Sequence, residues 1–305
     1  MIRFAWRRAL ESIPVLIVLS FIVFGLFKLV PGDYLSEMEL NPTISGETVE
    51  KIRHDYGLDR SLPVQYWLWL KQVVKGDFGY SFAQRRPASD LVMERVGGTL
   101  VLTVSAFALA LSLALLLGII SALNAGRWPD GLSLGLSLVG LSLPTVLASI
   151  GCLYFAFWTG WLPVGGSDTW RHLILPSITL AIPSAAFLAR TLRLELIDTL
   201  GQPFIRAAVA KGLPEWRVVW HALRNAANPV ISLAGVTLGG LLSGAVVVEK
   251  VFGWPGLGSL IVDSLLSRDL YVALDCVLLA SFFVIVANFF ADLLLALNDP
   301  RVRCR

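Results

Sequence analysis

Residues Arg206 to Pro229 read RAAVAKGLPEWRVVWHALRNAANP, the longest helix-like polar segment in a chain otherwise made largely of apolar runs. Ala207, Ala208, Ala210, Leu213, Val218, Val219 and Trp220 give it an apolar side, and Arg206, Lys211, Arg217, His221 and Arg224 a basic one. Gly212 suits the end of one helix and Pro214 the start of the next, so two short helices are expected. An amphipathic hairpin of this kind between two membrane spans fits a groove on another protein. It equally fits a helix pair lying on lipid headgroups, which a basic face would also suit. Spacing alone leaves both readings open.

The whole chain of 305 residues is 56% hydrophobic and 15% charged, with a mean hydropathy of +0.71. A soluble domain carries about 25% charged residues, so that class is excluded. The net charge of +3 gives no sign of a nucleic-acid partner. Cys152, Cys276 and Cys304 are too scattered for a disulfide framework. His54, His172 and His221 lack ligand spacing, and no metal site is expected.

The apolar runs give six spans. The first runs from Val15 to Phe27, after Arg3, Arg7 and Arg8. Lys28, Leu29, Val30 and Pro31 follow it instead of a small-residue cleavage site, so a retained span is expected. Residues 31–98 form one long polar region, expected outside, in which Pro63 to Val74 (PVQYWLWLKQVV) is too short to span. Tyr66, Trp67 and Trp69 suit a helix at the headgroups, or one packed on the spans. Thr99–Leu123 is the second span, Leu132–Trp158 the third with a kink at Pro144, and Leu173–Ala189 the fourth, broken by Pro176 and Pro183. A cytoplasmic loop at 190–228 follows, then Pro229–Val248 and Val272–Leu297. Between these last two, Gly256–Leu266 is only two to three turns long and reads as a re-entrant helix. The termini and short loops carry their arginines on one side (Arg3, Arg7, Arg8, Arg127, the 190–224 stretch, Arg301, Arg303, Arg305), against Arg171, Lys250 and Arg268 on the other. This bias places both termini in the cytoplasm. The domain reading is residues 1–30 as N-terminus and first span, 31–98 as periplasmic region, and 99–305 as a five-span core.

Little in the sequence is catalytic. No GxxxxGK[ST] or HExxH occurs, and Gly239–Gly244 (GGLLSG) lacks the GxSxG elbow. Charge inside the spans, the usual mark of ion-coupled transport, is scarce. Lys28 and Asp275 sit at span ends, where snorkelling or water serves them. Asp292, with Asn288 one turn before it, lines a path or pairs with Arg301 or Arg303. If the protein is a pump, its energy comes from elsewhere.

A series of short motifs in order along the chain carries a resemblance. These are Pro31-Gly32-Asp33, Tyr56-Gly57-Leu58-Asp59, Gly76-Asp77-Phe78-Gly79 and Arg86-Pro87 in the outer region. Trp161-Leu162-Pro163, Leu175-Pro176-Ser177, Glu249-Lys250-Val251-Phe252, Trp254-Pro255-Gly256-Leu257-Gly258 and Asp299-Pro300-Arg301 follow. The sequence resembles the first permease subunit of peptide/nickel-type ABC importers, the family of dipeptide, oligopeptide, glutathione and nickel permeases. The resemblance implies an all-α membrane protein of the type I ABC importer permease fold, with six transmembrane helices and N-in/C-in topology.

In such permeases the cytoplasmic segment is the EAA loop, whose coupling helix sits in a cleft of the ATPase. Here Arg206-Ala207-Ala208 precedes Gly212, with Arg206 in place of the Glu, and Pro229 is displaced from the general pattern. The resemblance implies ATPase coupling by Arg206, Ala207, Ala208, Lys211, Gly212, Leu213 and Arg217. It also implies a second homologous permease, two cytoplasmic ATPases holding ATP and magnesium, a solute-binding protein, and the bacterial inner membrane. No cofactor or catalytic residue is expected in this chain. Trp254, Pro255, Gly256 and Asp263 are expected at the binding-protein contact, and Asn288 and Asp292 along the path. A self-contained channel or secondary carrier is the alternative. Peptide, glutathione and nickel chelates all remain possible cargoes, peptides being preferred.

Overall fold

The computed structural model describes residues 2–29, 46–55, 59–81 and 83–298. The motifs at 31–33 and 299–301, and most of 56–59, lie outside them. In order the elements are α1 (Ile2–Leu29), α2 (Gly46–Asp55), α3 (Leu62–Val74), a hairpin of β1 (Tyr80–Ser81) and β2 (Arg86–Pro87), α4 (Ala88–Leu123), α5 (Trp128–Ser142) and α6 (Thr145–Thr159). A short 3-10 turn (Trp170–Leu173) leads into α7 (Ile174–Leu200), α8 (Pro203–Ala210), α9 (Glu215–Phe252), α10 (Leu257–Leu266) and α11 (Leu270–Asn298). Among the described residues, five helices are long and apolar enough to cross a membrane, and α5 with α6 makes a sixth span if the pair counts as one.

Helix lengths correct the expected boundaries. The second span starts at Ala88, eleven residues early, because Ala88, Leu91 and Val92 have a buried apolar face to fill. The third is no kinked helix: α5 and α6 meet at 104°, with Pro144 at the N-cap of α6. The fourth is unbroken. Pro176 falls in the first turn of α7, where its missing N–H has no partner to lose, and Pro183 sits inside a continuing helix. Pro229 likewise lies within α9, whose 38 residues span about 57 Å. The supposed second short helix of the 206–229 hairpin is therefore the start of the fifth span.

The chain forms two compact units. The first comprises residues 1–9, 100–254 and 284–305. One of its cores joins Leu102, Ala106 and Ala110 of α4, Leu180, Ala181 and Ala185 of α7, and Leu241, Ala245 and Val248 of α9. A second core joins Leu188, Leu192 and Leu196 of α7, Ile205 of α8, and Val218, Ala222 and Ala226 of α9. Alanine recurs because small side chains let helices approach where lipid supplies no hydrophobic drive.

The second unit comprises residues 10–99 and 255–283. Here α3 packs on membrane helices through Phe24, Trp69 and Leu274, which favours the packed reading of that helix. Trp67 on its other face is exposed. Ala88, Leu91 and Val92 meet Leu257, Leu260, Val272 and Cys276 in another cluster.

Candidate functional site

Helix α8 ends in a turn built by backbone alone. Gly212 N–H donates to Val209 O at 2.9 Å and Leu213 N–H to Ala208 O at 3.3 Å, the paired bonds of a Schellman stop. Gly212 stands at φ +76°, with nothing within 4 Å of where a Cβ would sit. Pro214 then caps α9, its carbonyl accepting from Arg217 and Val218 N–H.

The segment is seated by Ile205, Leu213, Val218 and Ala222. Arg206, Ala207, Lys211, Gly212 and Arg217 are exposed, and Ala208 and Leu213 half-buried. Large apolar groups are exposed as well: Val209, Trp216 at 66% and Trp220 at 62%. Arg217 lies over the Trp216 ring at 5.1 Å, and Arg206 Nη2 donates to Gly201 O at 3.2 Å. The surface thus combines exposed Trp and Val side chains with cations, and Trp and Arg are enriched in protein-binding faces.

The turn after α9 differs from expectation. Trp254 is buried, in the core with Phe252 and Leu175, and Gly256 is buried too. Trp254 is therefore a core side chain and not a contact surface: its ring completes the apolar packing where α9 ends. Pro255 and Asp263 are half-buried. Gly256 begins a capped turn, donating to Ser259 Oγ at 3.2 Å, and Leu257 N–H donates to Thr99 Oγ1 at 2.8 Å.

On α11, Asn288 is half-buried, donates to Val284 O at 3.0 Å and lies against Gly235. Asp292 pairs with Arg8 Nε at 2.9 Å. Arg301 and Arg303, its expected partners, lie outside the described residues. Asp275 is not the wet span end expected of it: it is fully buried and accepts from Trp69 Nε1 at 3.1 Å. Asp269, just before α11, accepts from Ser81 Oγ at 2.5 Å and from the Ala83 and Val272 amides. Burial still raises its carboxyl above the usual range, against the pull of those bonds.

Comparison with known proteins places this geometry. The family of binding-protein-dependent transport system inner membrane components matches residues 114–303, and the N-terminal part of such components matches residues 1–103. The chain therefore belongs to the inner membrane components of binding-protein-dependent transport systems. The glutathione transport system permease protein GsiC of Escherichia coli (strain K12) is 40% identical over 305 residues, covering 99% of both chains. The same-named proteins of Shigella flexneri serotype 5b (strain 8401) and Salmonella paratyphi A (strain ATCC 9150 / SARB42) are 39% identical over the same extent. Among solved structures, an inward-facing MetNI methionine ABC transporter chain matches with a TM-score of 0.59 at 18% identity, covering 68% of this chain and 96% of that one. That likeness is one of fold. The chain is a multi-pass permease subunit of the bacterial inner membrane.

Sequence reasoning missed the permease's best-formed polar cluster. Asp130 and Arg193 meet as a bidentate pair with Nε–Oδ1 at 2.6 Å and Nη2–Oδ2 at 2.7 Å. Arg193 was one of many basic residues in an expected loop, but it lies on α7. Asp130 follows Trp-Pro at the head of an apolar run, and that acid in a first helical turn was the available signal.

Proposed function

We propose that this permease forms half of the path of an ATP-driven importer of small peptides, glutathione among them, and that residues 206–217 seat it on an ATPase. The observation that carries the substrate reading is the end-to-end 40% identity to a glutathione transport system permease. The docking reading rests on the exposed Val209, Trp216 and Trp220 beside Arg206, Lys211 and Arg217. A helix held by a glycine stop and a proline cap acts as a rigid lever when its partner moves. Two cytoplasmic ATPases, holding ATP and magnesium, supply the energy. A homologous second permease completes the path, and a solute-binding protein delivers cargo outside. The family assignment displaces the self-contained carrier.

The test is the ATPase rate of the complete complex in lipid, with binding protein plus glutathione, a dipeptide or chelated nickel. Stimulation by glutathione or the dipeptide, lost in Gly212→Val at normal assembly, is the expected result. Stimulation by chelated nickel alone overturns the substrate reading, and an undiminished response in Gly212→Val overturns the docking one.

A further inference from the structure

A carboxylate has room for about four donors on its two oxygens, and Asp130 holds four. Oδ1 accepts from Ser121 Oγ at 2.5 Å and Arg193 Nε at 2.6 Å. Oδ2 accepts from Arg193 Nη2 at 2.7 Å and Gly126 N–H at 2.8 Å. Asp130 is only 3% exposed. Its donors come from three places: the end of α4, the α4–α5 turn and the last third of α7. Ser133 of α5 adds a bond to Leu117 O of α4 at 3.3 Å. Close approach supports the same junction, since a Cβ on Gly118 of α4 would meet Leu192 at 3.0 Å and one on Gly140 of α5 would meet Ala186 at 3.1 Å.

Arg193 lies about two turns before the end of α7 at Leu200, and α8 starts at Pro203. Leu192 and Leu196 of α7 share a buried cluster with Ile205 of α8 and Val218 of α9. A push on α8 thus enters α7 through packed side chains. Apolar contacts tolerate sliding, whereas a guanidinium–carboxylate fork fixes both distance and angle.

We propose that the Asp130–Arg193 clamp is the joint that passes movement of α8 into α4 and α5, keeping ATP turnover and path opening in step. The proposal rests on the reading of α8 as the ATPase-docking helix. Asp130 and Arg193 are positioning residues, touching neither nucleotide nor cargo.

The test measures substrate moved per ATP hydrolysed, per assembled complex, in liposomes containing both permeases, both ATPases, binding protein and glutathione. Wild type comes first: without substrate-stimulated ATPase there, the functional reading itself falls and takes this inference with it. Asp130→Asn keeps the shape and removes the charge. Arg193→Lys keeps the charge and removes the fork. Both are expected to retain basal ATP hydrolysis, lose stimulation and move about fivefold less substrate per ATP, or fewer still. The double variant Asp130→Asn, Arg193→Gln leaves no unpaired charge, so it is expected to assemble as wild type yet stay uncoupled. A wild-type ratio in the double variant overturns the proposal. So does a fall in transport matched by an equal fall in ATP hydrolysis per complex.

Discussion

Gly235 shows how little space some positions leave. A Cβ there would land on Asn288 Oδ1 and stand 3.1 Å from both Asn288 Cα and Ala291 Cβ. Two of those neighbours belong to backbone or a short stiff side chain, so they cannot swing aside. Gly235→Ala should therefore destabilise the chain by ~1–3 kcal/mol, the usual cost of overpacking. A lower unfolding temperature of the purified permease checks it. Gly212 is the opposite case, open in space but strained in conformation. A β-branched residue at its φ costs ~1–2 kcal/mol, whereas asparagine visits that region readily. Gly212→Asn should then keep most of the ATPase response that Gly212→Val loses.

Single bonds also hold whole elements. Trp69 anchors α3 to α11, with Phe24 5.7 Å from its ring and Asp275 on its N–H. Asp275 Oδ2 has no hydrogen-bond partner among the described residues. Trp69→Phe would leave the whole carboxyl without a donor, at ~1–3 kcal/mol. Adding Asp275→Leu should recover most of that loss, because neither polar group then remains; a double-mutant cycle on thermal unfolding measures it. Asp269 ties the β1–β2 hairpin to the start of α11. Its folded carboxyl binds a proton more tightly than the unfolded one does. Its stability contribution is therefore full below the ordinary carboxylate range and is lost as pH rises through the raised value. Asp269→Asn should flatten that part of the stability–pH profile, read by unfolding at stepped pH. These ties explain what the sequence concealed. Trp69 fits the headgroups as well as a packed helix, and Asp275 reads as a wet end, because their partnership bridges 206 positions. Trp254 was misread for a similar reason: an aromatic in a turn looks like contact surface until its core neighbours are known.

For the chain as a whole, the apolar runs were legible because a bilayer demands about 20 such residues per helix. Their ends were not. Polarity does not stop a helix; caps do. So α4, α7 and α9 run on through Ala88–Gly98, Arg190–Leu200 and Glu215–Asn228. The break between α8 and α9 was legible from Gly212 and Pro214, whereas the Asp130–Arg193 pair, 63 positions apart, leaves no local pattern. Counting the α5–α6 pair as one span, the arginine bias predicts α8 on the cytoplasmic side. In a variant lacking its native cysteines, Val209→Cys should react with a membrane-impermeant maleimide only in inside-out vesicles. Trp161→Cys, on the 160–169 loop, should react only in right-side-out ones. Reversed labelling would invert the topology.

The 104° elbow between α5 and α6 has a consequence for how the membrane is hydrated. Helix α5 has 15 residues, about 22 Å, and the hydrocarbon layer is about 30 Å thick. If α5 enters the layer at Trp128, the elbow at its other end sits inside it. The last carbonyls of α5 have no partner within their helix, and Pro144 brings no N–H to meet them. Ser142, Leu143 and Pro144 are exposed in the single chain. Lipid tails offer these oxygens nothing, so water or the neighbouring permease must solvate them. The peptide backbone of the elbow thus offers a polar solute acceptors that owe nothing to a charged side chain.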